Sequence, residues 1–165
     1  MAAPPPLERA ENILGVPLHR TEITLESGEP YDEGASYALS QHFYGKDGEL
    51  RNAIRNMTRF LAAFARQRQD SQKDAAVLYS LLGNLHYIAG NFNESANCAM
   101  RAASLNRSDI TYWVELAFSL RALGEFDVFE GILFNFEGIV RLWQQSTAPD
   151  LTKEALLSLI KEAKS

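Results

Sequence analysis

Cysteine is almost missing from this 165-residue chain. Cys98 stands alone, so an internal disulfide framework and a multi-cysteine metal site are both excluded. Long apolar runs are missing too. The most apolar stretch, Gly131 to Val140, is interrupted by Asn135 and Glu137, and it falls short of the roughly 18 residues that crossing a bilayer requires. Met1 to Pro6 is followed by Glu8, Arg9 and Glu11 rather than by the apolar core of a signal peptide. Positive charge is in deficit, with 16 Lys and Arg against 21 Asp and Glu, a formal net charge of −5. That balance gives no global attraction for phosphate backbones and argues against a nucleic-acid partner. A cytoplasmic protein without a transmembrane segment is the expectation.

Signatures of chemistry are also lacking. His19, His42 and His86 are scattered, with no HExxH or other ligand spacing, and no GxxxxGKS/T, GxGxxG or GxSxG sequence occurs. Cys98 lies among Ala96, Ala99 and Ala102, the surroundings of a packed thiol rather than a nucleophile. No catalytic residue, cofactor or metal ligand is nominated, and the chain reads as a non-enzyme.

Proline is confined to the ends. Five of the six prolines fall in residues 1–33, and none occurs from Gly34 to Gln145. The first region therefore reads as an extended arm with at most one short helix, Leu7 to Leu14, stopped by Gly15. Thr21 to Leu25 alternates polar and apolar residues and suits an extended segment. Residues 34–145 carry apolar side chains at three- and four-residue spacing, the period of amphipathic helices. Pauses at Gly45–Gly48, Gly90-Asn91, Asn106–Ser108 and Gly124-Glu125 cut this region into helices joined by short turns. Residues 146–165 predict a last helix, with Thr147 as its cap and Pro149 and Asp150 in its first turn. Arg51, Arg55 and Arg59 form a stripe that reads as the wet side of a helix, and Glu125 and Asp127 read as solvated first-turn acids.

The most informative feature is a repeat. Gly90-Asn91-Phe92 recurs as Gly124-Glu125-Phe126 after 34 residues, and the same shift takes Tyr79 to Trp113, Leu82 to Leu116, Gly83 to Ala117 and Ala89 to Leu123. The types have a physical logic. An aromatic wedges against the next hairpin, a small residue allows two backbones to cross closely, and a glycine ends the first helix. A single such hairpin leaves an apolar face uncovered, so hairpins are stable only when stacked.

On these residues the chain resembles the tetratricopeptide-repeat family, whose unit is a 34-residue helix-turn-helix. One repeat runs from Ala75 to Ser108 and the next from Asp109 to about Leu142. Ser95 stands where a small alanine is usual, and Arg107 where a closing proline is common. Phe129 and Phe136 replace small alanines, so the second repeat is degenerate. A weaker N-terminal repeat follows Tyr37, Tyr44, Gly48, Leu50 and Ala53, but Gly48 to Gly90 spans 42 residues, eight more than the period. The excess, near Gln67 to Lys73, implies a longer second helix or a longer loop. The resemblance implies an all-α fold, a right-handed solenoid of about three helix-turn-helix hairpins with a C-terminal capping helix.

It further implies a concave groove lined by the first helices of successive hairpins. Carried onto this chain, the lining is Ala38, Leu39 and His42, then Ser80, Leu81, Asn84 and Tyr87, then Thr111, Val114, Glu115, Phe118 and Arg121. Such a mostly apolar and aromatic surface suits a peptide with apolar anchors, held by Asn84 and Arg121. The lysine, arginine and asparagine clamp by which some family members hold acidic chaperone tails lacks its cations here, since those positions read Ala38, His42, Leu81, Thr111 and Glu115 and only the neighbouring Asn84 is of the right type. The function implied is a non-catalytic scaffold or adaptor for a protein or peptide. A chaperone-like escort falls within it, because length and layout are similar to small cytosolic secretion chaperones of the repeat family. The alternative is a homo-oligomerisation module whose groove is filled by its own or a neighbour's N-terminal arm. The apolar helix from Phe126 to Trp143 reads first as a surface for the C-terminal helix to cover and otherwise as a subunit or partner contact.

Overall fold

The computed structural model describes residues 6–15, 23–24, 30–31, 39–67 and 72–165. Every described element longer than two residues is a helix: α1 (Pro6–Leu14), α2 (Asp47–Gln67), α3 (Gln72–Ile88), α4 (Phe92–Leu105), α5 (Thr111–Ala122), α6 (Phe126–Phe134), α7 (Phe136–Gln145) and α8 (Lys153–Lys164). Residues 39–42 are also helical. The exception is a two-residue antiparallel pairing within the first region, Ile23 with Tyr31 and Thr24 with Pro30. From α2 onward each helix packs against the one before and the one after, while α1 rests on α2 and α3. Among the described residues no helix is long and apolar enough to cross a membrane.

The 34-residue shift reappears in the backbone. At the end of α3, Gly90 takes φ +83°, its N–H donates to the Tyr87 carbonyl and the Asn91 N–H donates to the His86 carbonyl. At the end of α5, Gly124 takes φ +82°, its N–H donates to the Arg121 carbonyl and the Glu125 N–H to the Leu120 carbonyl. Both are Schellman caps, which satisfy carbonyls that the helix leaves open and need a residue at positive φ. A Cβ built on either glycine meets open space, so only the backbone conformation would resist a side chain. Gly90→Ala and Gly124→Ala should each lower stability by about 1 kcal/mol with helicity unchanged, read from urea melts.

The caps fold the chain back sharply, so α4 lies against α3 and α6 against α5. Small side chains make this close: Ala96, Ala99, Ala102 and Ala103 of α4 are all buried. A Cβ on Gly83 would stand 3.0 Å from the Cβ of Cys98, which places the crossing of α3 and α4 at that glycine. Buried side chains form two clusters, one mainly of α1, α2 and α3 with Cys98 of α4, the other mainly of α4 to α8 with Ala76 of α3. Tyr79 and Leu105 pack against both. Trp113 and Trp143 are fully sealed in the second cluster.

Two expectations are corrected here, and a third is met in one of its alternatives. The N-terminal turn glycine is Gly45, at φ +70°, whereas Gly48 lies inside α2. The excess over the period is taken up at least in part by α2, which at 21 residues outlasts the 14 of α4; residues 68–71 lie outside the described set. The apolar helix from Phe126 to Trp143 is two helices, broken at Asn135, whose side-chain amide donates to the Gly131 carbonyl at 3.1 Å and competes with the helical ladder.

The last helix starts five residues later than expected. Thr152 is its cap, its hydroxyl accepting the Ala155 N–H at 3.1 Å, and Thr147, Pro149 and Asp150 precede the helix. The reason is tertiary. Residues 146–151 form a strap held away from helical geometry by Arg107, whose Nη1 donates to the Ser146 carbonyl at 2.8 Å and to the Trp143 carbonyl at 3.3 Å. Nη2 donates to the carbonyls of Ala148 and Pro149, and the guanidinium lies 4.0 Å above the Trp143 ring centroid. The Leu151 N–H donates to Ser104 Oγ at 2.7 Å, and the Leu151 side chain is buried. Glu125 is corrected too, since it is half-buried and paired with Lys153 rather than solvated.

Candidate functional site

Two reversals, at Gly90 and at Asn106–Ile110, return the chain to its starting direction, so α5 runs alongside α3. Asp109 shapes the second reversal by accepting the Thr111 N–H at 2.9 Å. One bond then sets the register of the two helices: Ser80 Oγ donates to Glu115 Oε1 at 2.6 Å. Helical spacing does the rest. Asn84 and Tyr87 follow Ser80 by four and seven residues on α3, and Phe118 follows Glu115 by three on α5, so they flank the bonded pair.

Below the pair runs a polar seam. Ser119 Oγ donates to the main-chain carbonyl of Glu115 at 2.9 Å, and Ser95 Oγ lies 2.9 Å from Ser119 Oγ. Because the single Ser119 proton is already committed, Ser95 is the donor in that contact. The serine that departs from the repeat pattern at position 95 thus ties α4 to α5 through a buried hydrogen bond.

Burial pushes the Glu115 carboxyl up to about 7; the Ser80 hydrogen bond opposes that rise and the negative charge of Asp109 adds to it. Near neutral pH the group is therefore divided between its two protonation states. The Cys98 thiol is pushed up to about 12, by burial first and then by Glu94 and Glu115, and it stays protonated and unreactive at neutral pH. His86 is shifted down by burial, against the pull of Glu94.

The expected groove residues divide by depth. Tyr87 and Phe118 are 41% and 47% exposed, and Arg121 is exposed with its guanidinium 5.8 Å from the Phe129 ring centroid. His42, Asn84 and Val114 are half-buried, His42 standing edge-on to Phe43. Ser80 is buried, and its hydroxyl is committed to Glu115. Leu39 and Leu81 are corrected, because both are sealed in the N-terminal cluster and face no groove. The cause is that α3 is covered on two sides, with Leu78, Leu81, Leu82 and Leu85 all buried, so periodicity alone does not say which stripe is free. Ala38 lies outside the described residues. Arg51, Arg55 and Arg59 are exposed.

Sequence reasoning missed the Ser80–Glu115 bond and the Arg107 strap. Arg107 carried a signal, as an arginine where the repeat pattern has proline, but its targets lie 36 to 42 residues away. Phe126, Leu133 and Phe134 of α6 are exposed. Among the described residues no group of three or more His, Cys, Asp or Glu side chains could hold a metal ion. Comparison with protein-family models, with curated proteins and with solved structures gave no match.

Proposed function

We propose that the chain is a tetratricopeptide-repeat-like scaffold, a solenoid of stacked helical hairpins whose α3–α5 face binds a peptide segment of another protein. The observation that carries this reading is the pair of exposed aromatic side chains, Tyr87 and Phe118, on two helices locked in register by the Ser80–Glu115 bond. Rigid aromatic anchors on a fixed frame give large contact area at low conformational cost. Tyr87 meets Phe92 edge-on at 5.2 Å between ring centroids, so its orientation is set before any ligand arrives. The two Schellman caps one period apart and the packing of each helix on its neighbours support the solenoid.

The test is selection of a phage-displayed random dodecapeptide library on the wild-type protein. Enriched peptides should bind Tyr87→Ala/Phe118→Ala at least tenfold more weakly, with unchanged helicity by circular dichroism. Equal binding by the two proteins would remove the face from consideration.

A second reading, self-association, is favoured by one observation: Phe126, Leu133 and Phe134 lie exposed on α6, and Phe126 and Leu133 are spaced seven residues apart on one face. Light scattering separates the two readings. An assembly dissolved by Phe134→Asp with peptide capture intact would assign α6 to subunit contact and leave the α3–α5 face to the peptide.

A further inference from the structure

The α3–α5 face has aromatic anchors and an acid, Glu115, whose carboxyl accepts the Ser80 hydrogen bond. Glu115 Oε1 takes that bond, and the residue is half-buried rather than sealed. The other charges that act on this region are also acidic, Asp109 on Glu115 itself and Glu94 together with Glu115 on Cys98. Three basic side chains of α4, α5 and the turn between them are engaged elsewhere. Arg121 lies over Phe129, Arg101 pairs with Asp150 and reaches toward Tyr79, and Arg107 holds the strap. His86, on α3, is held toward its neutral form by burial.

We infer that the peptide bound on this face carries a lysine or arginine whose cationic group pairs with the Glu115 carboxylate, with apolar side chains on either side seated against Tyr87 and Phe118. The inference rests on the scaffold reading and narrows its partner to a basic-apolar segment. The physics is that of an unfinished ion pair. A carboxylate held in a poorly solvated place, with acids for neighbours, is costly until a counter-ion reaches it, and then the pairing is strong because the surroundings screen it little. The carboxyl is already oriented by Ser80, so little ordering is left to be done when the cation arrives. Phe118 stands one helical turn from Glu115, about 5–6 Å away, a separation that an extended peptide spans with side chains two positions apart.

The probe is again the random dodecapeptide library, with enriched peptides sequenced and resynthesised. Lysine or arginine should be enriched two to three positions from a large apolar residue. Replacing that basic residue by glutamine should weaken binding to the wild type at least tenfold and binding to Glu115→Gln by less than twofold, a coupling that only a direct pair produces. The amide still accepts the Ser80 hydrogen bond, so this variant keeps the frame. Enriched peptides with no basic residue, or a lysine-to-glutamine loss of equal size in both proteins, would overturn the inference while leaving the scaffold reading intact. A library that enriches nothing would remove both.

Discussion

Arg107→Met should lower the stability of the whole C-terminal half by about 2–3 kcal/mol, since a hydrogen bond to a charged group contributes roughly 1.5–3 kcal/mol and water can replace part of what is lost. In a domain of this size that corresponds to a fall of about 4–12 °C in Tm. One guanidinium reaches four carbonyls, of Trp143, Ser146, Ala148 and Pro149, and also covers the Trp143 ring. Methionine keeps most of the apolar stem and removes every donor. The strap it holds connects α7 to α8, and α8 contributes Leu156, Leu159 and Ile160 to the second cluster. Release of the strap should therefore loosen α8 before the rest. Limited proteolysis should cut between residues 146 and 152 in the variant under conditions that spare the wild type. Arg107→Lys should recover less than half of the loss, because an ammonium has no planar fork with which to span separate carbonyls. A Met variant as stable and as resistant to protease as the wild type would show that the strap is held by Leu151 burial alone. By contrast, the exposed Arg101–Asp150 pair in the same region contributes little.

The pH dependence of stability should carry the mark of Glu115. Its folded-state pKa is about 7 against an ordinary value of 4.5, so the folded chain binds the extra proton more tightly than the unfolded chain. The protonated carboxyl therefore favours the fold below about pH 4.5, and that advantage is lost as pH rises to about 7. The whole change is at most about 3 kcal/mol. His86 works in the opposite sense, since its lowered pKa removes stability as pH falls below 6.5. The two effects overlap, and Glu115→Gln separates them. Glutamine is neutral at every pH and still accepts from Ser80. Wild type and variant should have nearly equal unfolding free energies at pH 4.5, and the variant should be the more stable by about 3 kcal/mol at pH 8, read from urea melts. Parallel curves across that range would mean that the carboxyl is solvated and ionised like an ordinary one. Removal of the cost also bears on function: a residue that holds the fold back at neutral pH fits a site kept for a partner rather than for stability.

The helices were legible because their signals are local. Gly15, Gly90 and Gly124 each mark a helix end at positive φ, and the 34-residue shift that relates the last two is visible in the letters before any coordinate is known. The first short helix was readable from the proline and glycine that bound it. Legibility failed wherever a distant group outvoted a local preference. Thr147 followed by Pro149 and Asp150 is a good helix start, yet Arg107 and Ser104 hold those residues as a strap. Asn135 looked like one polar residue in an apolar helix, and its amide breaks that helix by taking the Gly131 carbonyl.

The site divides in the same way. That Tyr87 and Phe118 lie on helices ended by turn glycines 34 residues apart is written in the period, because helix spacing and turn glycines are properties of short stretches of chain. Which of the expected lining residues face outward is not written there. Leu81 and Tyr87 both fit an apolar stripe, and only the packing of α3 between two clusters seals the first and exposes the second. The Ser80–Glu115 bond joins residues 35 apart and has no local trace. Nor does the high pKa of Glu115, which depends on how much water the assembled neighbours exclude, a quantity that exists only once the chain has folded.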